Sequence, residues 1–287
     1  MVPEDMRFEH EFSFLLPWEK LEWLTEEWAE ANHHRLMREA ITWVVFYLIS
    51  TRLLVWFMKD RKPFDLRIPL ILHNAGLALF SIVAMVRGVA PLYHVLTNYG
   101  FYATICMGPP KNHPGMVWAY LYGWSKVIEF ADTYFLALRK KQIIPLHWIH
   151  HAIVVLVAAH CVSSGSTIAG WFAFVNVCVH AFMYSYFTLQ ACKIKVPNWA
   201  AQSITFVQTV QMFWGLFVIC SSIYYKEFTS RKCYVNYDTI FFATGMYTLF
   251  ALMFIRFYRK KYLEAKRLRE ANRAAATSSD AIDKKTN

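Results

Sequence analysis

Seven stretches of mostly apolar residues, each near twenty long, constrain this chain more than any other feature. They lie at residues 40–58, 68–87, 116–138, 146–163, 167–189, 199–222 and 237–257. A hydrocarbon core about 30 Å thick is crossed by about 20 helical residues, so the pattern predicts an all-α polytopic membrane protein with seven transmembrane helices. The chain is 56% hydrophobic and 17% aromatic, too apolar for an ordinary soluble domain. Residues 1–39 read as an acidic segment before the membrane domain (40–258), and 259–287 as a basic tail.

The net charge of +10 is carried largely by short stretches between spans. Lys59, Arg61, Lys62 and Arg67 follow the first span, Arg139, Lys140 and Lys141 the third, Lys193 and Lys195 the fifth, and Arg256, Arg259, Lys260 and Lys261 the seventh. Lysine and arginine collect on the cytosolic side, which predicts a lumenal N-terminus and a cytosolic C-terminus. Residues 88–115 hold only Lys111, whereas Lys226, Arg231 and Lys232 run against the rule. No basic-aromatic patch points to nucleic acid. The N-terminus lacks the charged-then-apolar order of a signal peptide, so the first span is expected to target the chain.

The six cysteines show no C-x-x-C spacing, which argues against a zinc ribbon or redox pair. The topology puts Cys106 and Cys233 on the lumenal face, where oxidation is permitted, and predicts a disulfide between them. The chain ends Lys284-Lys285-Thr286-Asn287, which resembles a dilysine retrieval signal and predicts residence in the endoplasmic reticulum membrane.

Polar residues interrupt the apolar runs at helical spacing. His147, His150 and His151 open the fourth span, and residues three and four apart share a helix face. The third span carries Lys126, Glu129, Asp132 and Thr133; the fifth Asn176, His180, Met183, Tyr184 and Tyr186; the sixth Gln202, Thr205, Gln208 and Gln211, a three-residue rhythm expected on one face. Such stripes can simply glue helices together. Counted from the basic ends at 1.5 Å per residue, however, they fall roughly 8 to 15 Å deep, so carboxylates, imidazoles and amides share one slab. Ionisable groups at that depth are costly and functional by default.

Lys126-x-x-Glu129-x-x-Asp132-Thr133, His147-x-x-His150-His151, His180-x-x-Met183-Tyr184-x-Tyr186 and Thr205-x-x-Gln208-x-x-Gln211 resemble, in order, the four signatures of the ELO family of fatty acid elongases. The resemblance covers residues 35–262; Phe187 stands where the family commonly has a further tyrosine. It implies seven helices enclosing an acyl-chain tunnel. It also implies a condensing enzyme that joins acyl-CoA to malonyl-CoA, gives 3-ketoacyl-CoA, CO2 and CoA, uses no cofactor, and works beside the reductases and dehydratase of an elongation cycle.

No cysteine belongs to the four signatures, so histidine is expected to carry the chemistry. His150 is expected as acyl acceptor, His180, His147 and His151 as its helpers, and Glu129 or Asp132 as the group fixing its tautomer. Asn176, Tyr184, Gln208 and Gln211, with Lys126, are the expected partners of thioester or enolate oxygens. Arg139, Lys140, Lys193 and Arg256 would meet the CoA phosphates, although topology alone also accounts for cations there. Two rivals remain open. H-x-x-H-H is also a box of membrane di-iron desaturases and hydroxylases, but these need several boxes, and His10, His33, His34, His73, His94, His113 and His160 are scattered and mostly toward the opposite side. A seven-span receptor or transporter would leave the clustered carboxylates and histidines without a reason.

Overall fold

The computed structural model of the protein describes residues 3–8, 15–19, 23–110 and 113–264. Lys111 and the tail with Lys284 and Lys285 lie outside the described residues. Ten α-helices appear among those described: α1 (Glu26–Ala31), α2 (His33–Phe57), α3 (Arg67–Asn98), α4 (Gly100–Cys106), α5 (Gly115–Ile128), α6 (Phe130–Leu138), α7 (Pro145–Ser163), α8 (Ala169–Ala191), α9 (Asn198–Glu227) and α10 (Tyr237–Tyr258). α3 lies along α8, α9 along α10, and both α2 and α5 along α7.

Six unbroken helices are long and apolar enough to cross a membrane: α2, α3, α7, α8, α9 and α10 with the turn after it. The span expected over 116–138 is a broken pair, α5 and α6, meeting at Glu129. There the backbone tightens, with Asp132 N–H bonding the Glu129 carbonyl three residues back at 3.1 Å, as in a 3₁₀ turn. The second span runs past its expected end at residue 87 as far as Asn98. Arg87 lies within this helix, its guanidinium donating to Glu19 at 2.8 and 2.5 Å. Gly100, at φ +76°, then makes the turn into α4 that a side chain would oppose.

Large apolar side chains such as Trp56, Ile68, Leu79, Phe182, Phe206 and Phe241 point outward, the solvent preference of a surface facing lipid. Inward, one apolar cluster joins α4, α7, α8, α9 and α10 around Phe172, Met212, Tyr247 and Phe250. A second joins α2, α6 and α7; in it Tyr47 stacks on Phe130 at 4.1 Å between ring centres, a contact of the kind that contributes about 1 kcal/mol beyond its buried area.

One end of the bundle carries the basic turns. α6 and α8 both stop in the same left-handed cap. Lys140 (φ 53°) and Lys193 (φ 61°) take the glycine-like position. Lys140 N–H bonds Ala137 and Lys141 N–H bonds Leu136; Lys193 N–H bonds Gln190 and Ile194 N–H bonds Leu189. Arg67 closes the α8 end further by donating to the carbonyls of Ala191 at 3.1 Å and Cys192 at 3.3 Å.

The opposite end is stitched by the loops and the N-terminal segment. Cys106 and Cys233 form a disulfide with α-carbons 4.3 Å apart, and Tyr234 N–H bonds the Cys106 carbonyl at 3.1 Å. Residues Met6 and Phe8 pair with Gly108 through backbone bonds of 2.9 and 3.1 Å. Arg7 donates to Glu26 at 2.5 Å and to the Pro109 carbonyl at 2.7 Å. Glu19 is buried and accepts from Arg87, the Trp118 indole at 2.7 Å and the Leu16 N–H at 2.8 Å. Burial alone would raise its pKa; the Leu16 N–H, the Trp118 indole and the Arg87 guanidinium overcome this and hold it below the ordinary carboxylate value. The segment before α2 is thus packed onto the bundle.

Candidate active site

The polar layer resolves into three hydrogen-bonded groups and two histidines, His150 and His151, that form no hydrogen bond with the described residues. In the first group Lys126, in the last turn of α5, reaches Glu129 Oε1 at 2.5 Å and Asn176 Oδ1 at 2.9 Å. Tyr122 also donates to Asn176 Oδ1, at 3.2 Å. Two donors on one oxygen fix which way the amide points, so Asn176 Nδ2 faces His180 Nε2 at 3.3 Å as donor. His180 Nδ1 in turn lies 3.3 Å from both the Lys126 ammonium and Glu129 Oε1. Asn176, Lys126 and Glu129 thereby hold the ring between them. Glu129 Oε2 stays buried with no hydrogen-bond partner among the described residues.

The second group centres on Asp132, one turn into α6. Its Oδ1 accepts from His73 Nε2 of α3 at 2.8 Å and its Oδ2 from the Tyr184 hydroxyl of α8 at 2.8 Å. His151 Nε2 lies 4.0 Å from Oδ2. In the third group Thr133 bridges Tyr47 of α2, at 2.8 Å, and His147 Nε2 of α7, at 2.9 Å. His151 packs edge-on between its neighbours, with ring centres 4.6 Å from His147 and 5.4 Å from His150.

His150 forms no hydrogen bond with the described residues and leans on Phe250, ring centres 5.0 Å apart. It lines a cavity of about 370 Å³ that also meets Asn176 and Gln211 and continues between α3, α7 and α8 toward the N-terminal segment. Gln211 is buried on α9, and its amide, like the His150 imidazole, makes no hydrogen bond with the described residues. An imidazole able to attack or take a proton and an amide able to donate to an oxyanion therefore face one apolar-walled space, the general form of a small-molecule site.

The structure corrects several expectations. Neither Glu129 nor Asp132 touches His150: Glu129 serves His180, and Asp132 serves His73 and Tyr184. His147, His151, His180, Glu129, Asp132, Lys126, Tyr184 and Gln208 lie outside the cavity wall. Gln208 donates to Met183 Sδ at 3.1 Å. The three-residue rhythm does not hold one face. At about 100° per residue each step of three slips by about 60°; Gln202 is exposed and bonded to Tyr258, and Gln211, nine residues on, is buried. Lys140 directs its ammonium to the carbonyls of Lys59 and Arg61, each at 2.9 Å, while Lys193 and Arg256 are exposed and Arg139 is half-buried. None of these four cations lines the cavity. Among the described residues no three His, Cys, Asp or Glu side chains converge as metal ligands.

His73 was expected with the scattered histidines and instead completes the Asp132 group; its imidazole inside the apolar run 68–87 was the available signal. Tyr47 and Tyr122 carry no such signal, because a tyrosine in a span more often packs than bonds.

Comparison with known proteins accords with this arrangement. The sequence profile of the ELO family, described as GNS1/SUR4, matches residues 34–270. Very long chain fatty acid elongase 6 of Drosophila melanogaster is 31% identical over 92% of this chain and 84% of its own length. Very long chain fatty acid elongase 3 of Homo sapiens is 33% identical over 77% of this chain and 82% of its own. Long chain fatty acid elongase 1 of Caenorhabditis elegans is 34% identical over 76% of each. With most of its length matched, this chain is a multi-pass membrane protein belonging to the ELO (GNS1/SUR4) family.

Proposed function

We propose that the protein is the condensing enzyme of fatty acid elongation, an acyltransferase that joins a long-chain acyl-CoA to malonyl-CoA. The observation that carries this reading is His150, the one histidine of the box on the cavity wall, with neither ring nitrogen hydrogen-bonded to the described residues. In the first half-reaction an imidazole nitrogen attacks the thioester carbonyl, the C–S bond breaks, and CoA leaves as the thiol with the imidazole proton. In the second, the bond between the malonyl α-carbon and its free carboxylate breaks to release CO2. The carbanion so formed attacks the acyl carbonyl and expels imidazolate, which takes a proton from solvent to restore the imidazole, giving 3-ketoacyl-CoA. The Gln211 amide donates to the carbonyl oxygen as charge develops on it. His180, held by Asn176, Lys126 and Glu129, lies behind the cavity wall as part of a fixed polar layer.

The acyl chain occupies the apolar cavity, and once seated it keeps water from a hydrolysable acyl-imidazole. The CoA headgroup stays at the basic end near Arg139, Lys193 and Arg256. On this reading that end is cytosolic, the enzyme resides in the endoplasmic reticulum, and the reductases and dehydratase of the cycle take up its product. Purified protein given acyl-CoA and labelled malonyl-CoA should release labelled 3-ketoacyl-CoA and CO2 together. His150→Ala should lose both, and wild-type protein that yields neither would overturn the reading.

A further inference from the structure

The cavity that begins at His150 ends against the N-terminal segment. Phe8, Glu26 and Gly165 line its far end. Gly165 adopts φ +60°, and a β-carbon there would lie 3.0 Å from Glu26 Oε1, so the glycine gives the carboxylate its place. Glu26 in turn pairs with Arg7 at 2.5 Å, with side chains only 13% and 8% exposed. The wall between the two ends is apolar, with Val154, Val157 and Phe174 among its residues. The Glu19–Arg87–Trp118 bonds and the backbone pairing of Met6 and Phe8 with Gly108 hold the segment in place. The family profile begins at residue 34, so Phe8 and Glu26 on this wall precede the part it covers.

We propose that the Arg7–Glu26 ion pair is the determinant that sets the longest acyl chain the enzyme accepts, an inference that rests on the elongase reading. Each methylene added along the apolar wall leaves water for hydrocarbon and binds better. A chain that reaches this already buried pair must instead push its two charges apart, and an unpaired buried charge costs more than a methylene gains. From His150 to Ser163, at the end of α7, the helix rises about 20 Å. An extended chain advancing about 1.3 Å per carbon fills that length with about fifteen carbons. Acyl-CoA donors up to about this length fit; longer ones press on the pair.

The test uses the full-length protein with saturated acyl-CoA donors shorter and longer than this limit, labelled malonyl-CoA, and product lengths read by mass spectrometry. Arg7→Met with Glu26→Leu removes both charges and leaves neither unpaired. It should raise the ratio of kcat/KM for the first excluded donor to that for a short donor by about tenfold, the scale of hydrophobic-pocket discrimination. Phe8→Ala deepens the same end without touching a charge and should shift the ratio the same way, so the proposal stays testable if the double variant fails to fold. Unchanged ratios in folded variants, judged by thermal unfolding, overturn the proposal. A wild-type protein that elongates no donor overturns the elongase reading, and this inference with it.

Discussion

Lys126 and Glu129 form an ion pair at 2.5 Å with both side chains almost wholly buried, 1% and 2% exposed. Removing one member of such a pair strands the other charge, which typically costs about 3 to 5 kcal/mol, whereas removing both is far milder. Lys126→Met should therefore lower the thermal unfolding midpoint sharply, and Lys126→Met with Glu129→Leu should recover most of the loss. Because Glu129 also holds His180, the double variant should stay inactive. Equal midpoints for the single and double variants would show that the pair carries no such coupling.

The cap at the end of α8 makes a separate prediction. A lysine at φ 61° bears a left-handed penalty of about 1 to 2 kcal/mol that glycine escapes, partly offset by glycine's larger unfolded-state entropy. Lys193→Gly should stabilise the protein by up to about 1 kcal/mol, and Lys193→Met should not. The glycine variant should also raise KM for acyl-CoA if the ammonium meets a CoA phosphate. A lower midpoint for Lys193→Gly than for Lys193→Met would contradict the backbone argument.

Glu19 predicts a pH dependence. Its folded pKa lies below the usual value of 4.5, so the folded state binds fewer protons than the unfolded state wherever the two differ. Its stabilising contribution is therefore fully present above 4.5 and is lost as pH falls through the lower folded pKa. Hydrogen exchange of residues 15–19 should quicken, relative to intrinsic rates, as the medium is acidified below that value. In Glu19→Gln the segment should exchange faster at neutral pH and show little further change over the same window. A wild-type profile that is flat there would separate the carboxylate from the docking of the segment.

How far the chain could be read from sequence depends on how local each feature is. The apolar runs marked α2, α7, α8, α9 and α10, because hydrophobic length is a property of the run itself. The break at Glu129 was hidden, since α5 and α6 join within one apolar stretch. The Lys126–Glu129 contact spans one helical turn and was legible as spacing. The Asp132–His73 and Thr133–Tyr47 bonds cross 59 and 86 residues of chain, and no periodicity encodes which faces α2 and α3 turn to α6. Arg87 looked like the end of a span until Glu19, 68 residues earlier, was found against it. Gln202 and Gln211 fall on different faces, because a rhythm of three drifts around a helix that turns every 3.6 residues.

The account turns on His150 as the atom that accepts the acyl group, and one stoichiometric experiment reaches it directly. Protein mixed with acyl-CoA in the absence of malonyl-CoA should release CoA in a single burst of at most one equivalent per chain. Mass spectrometry should then locate the acyl group on the peptide containing His150, and His150→Ala should show neither burst nor adduct. Release of CoA that waits strictly for malonyl-CoA, with no adduct trapped at any time, would contradict the account and leave the imidazole as a base in a direct displacement.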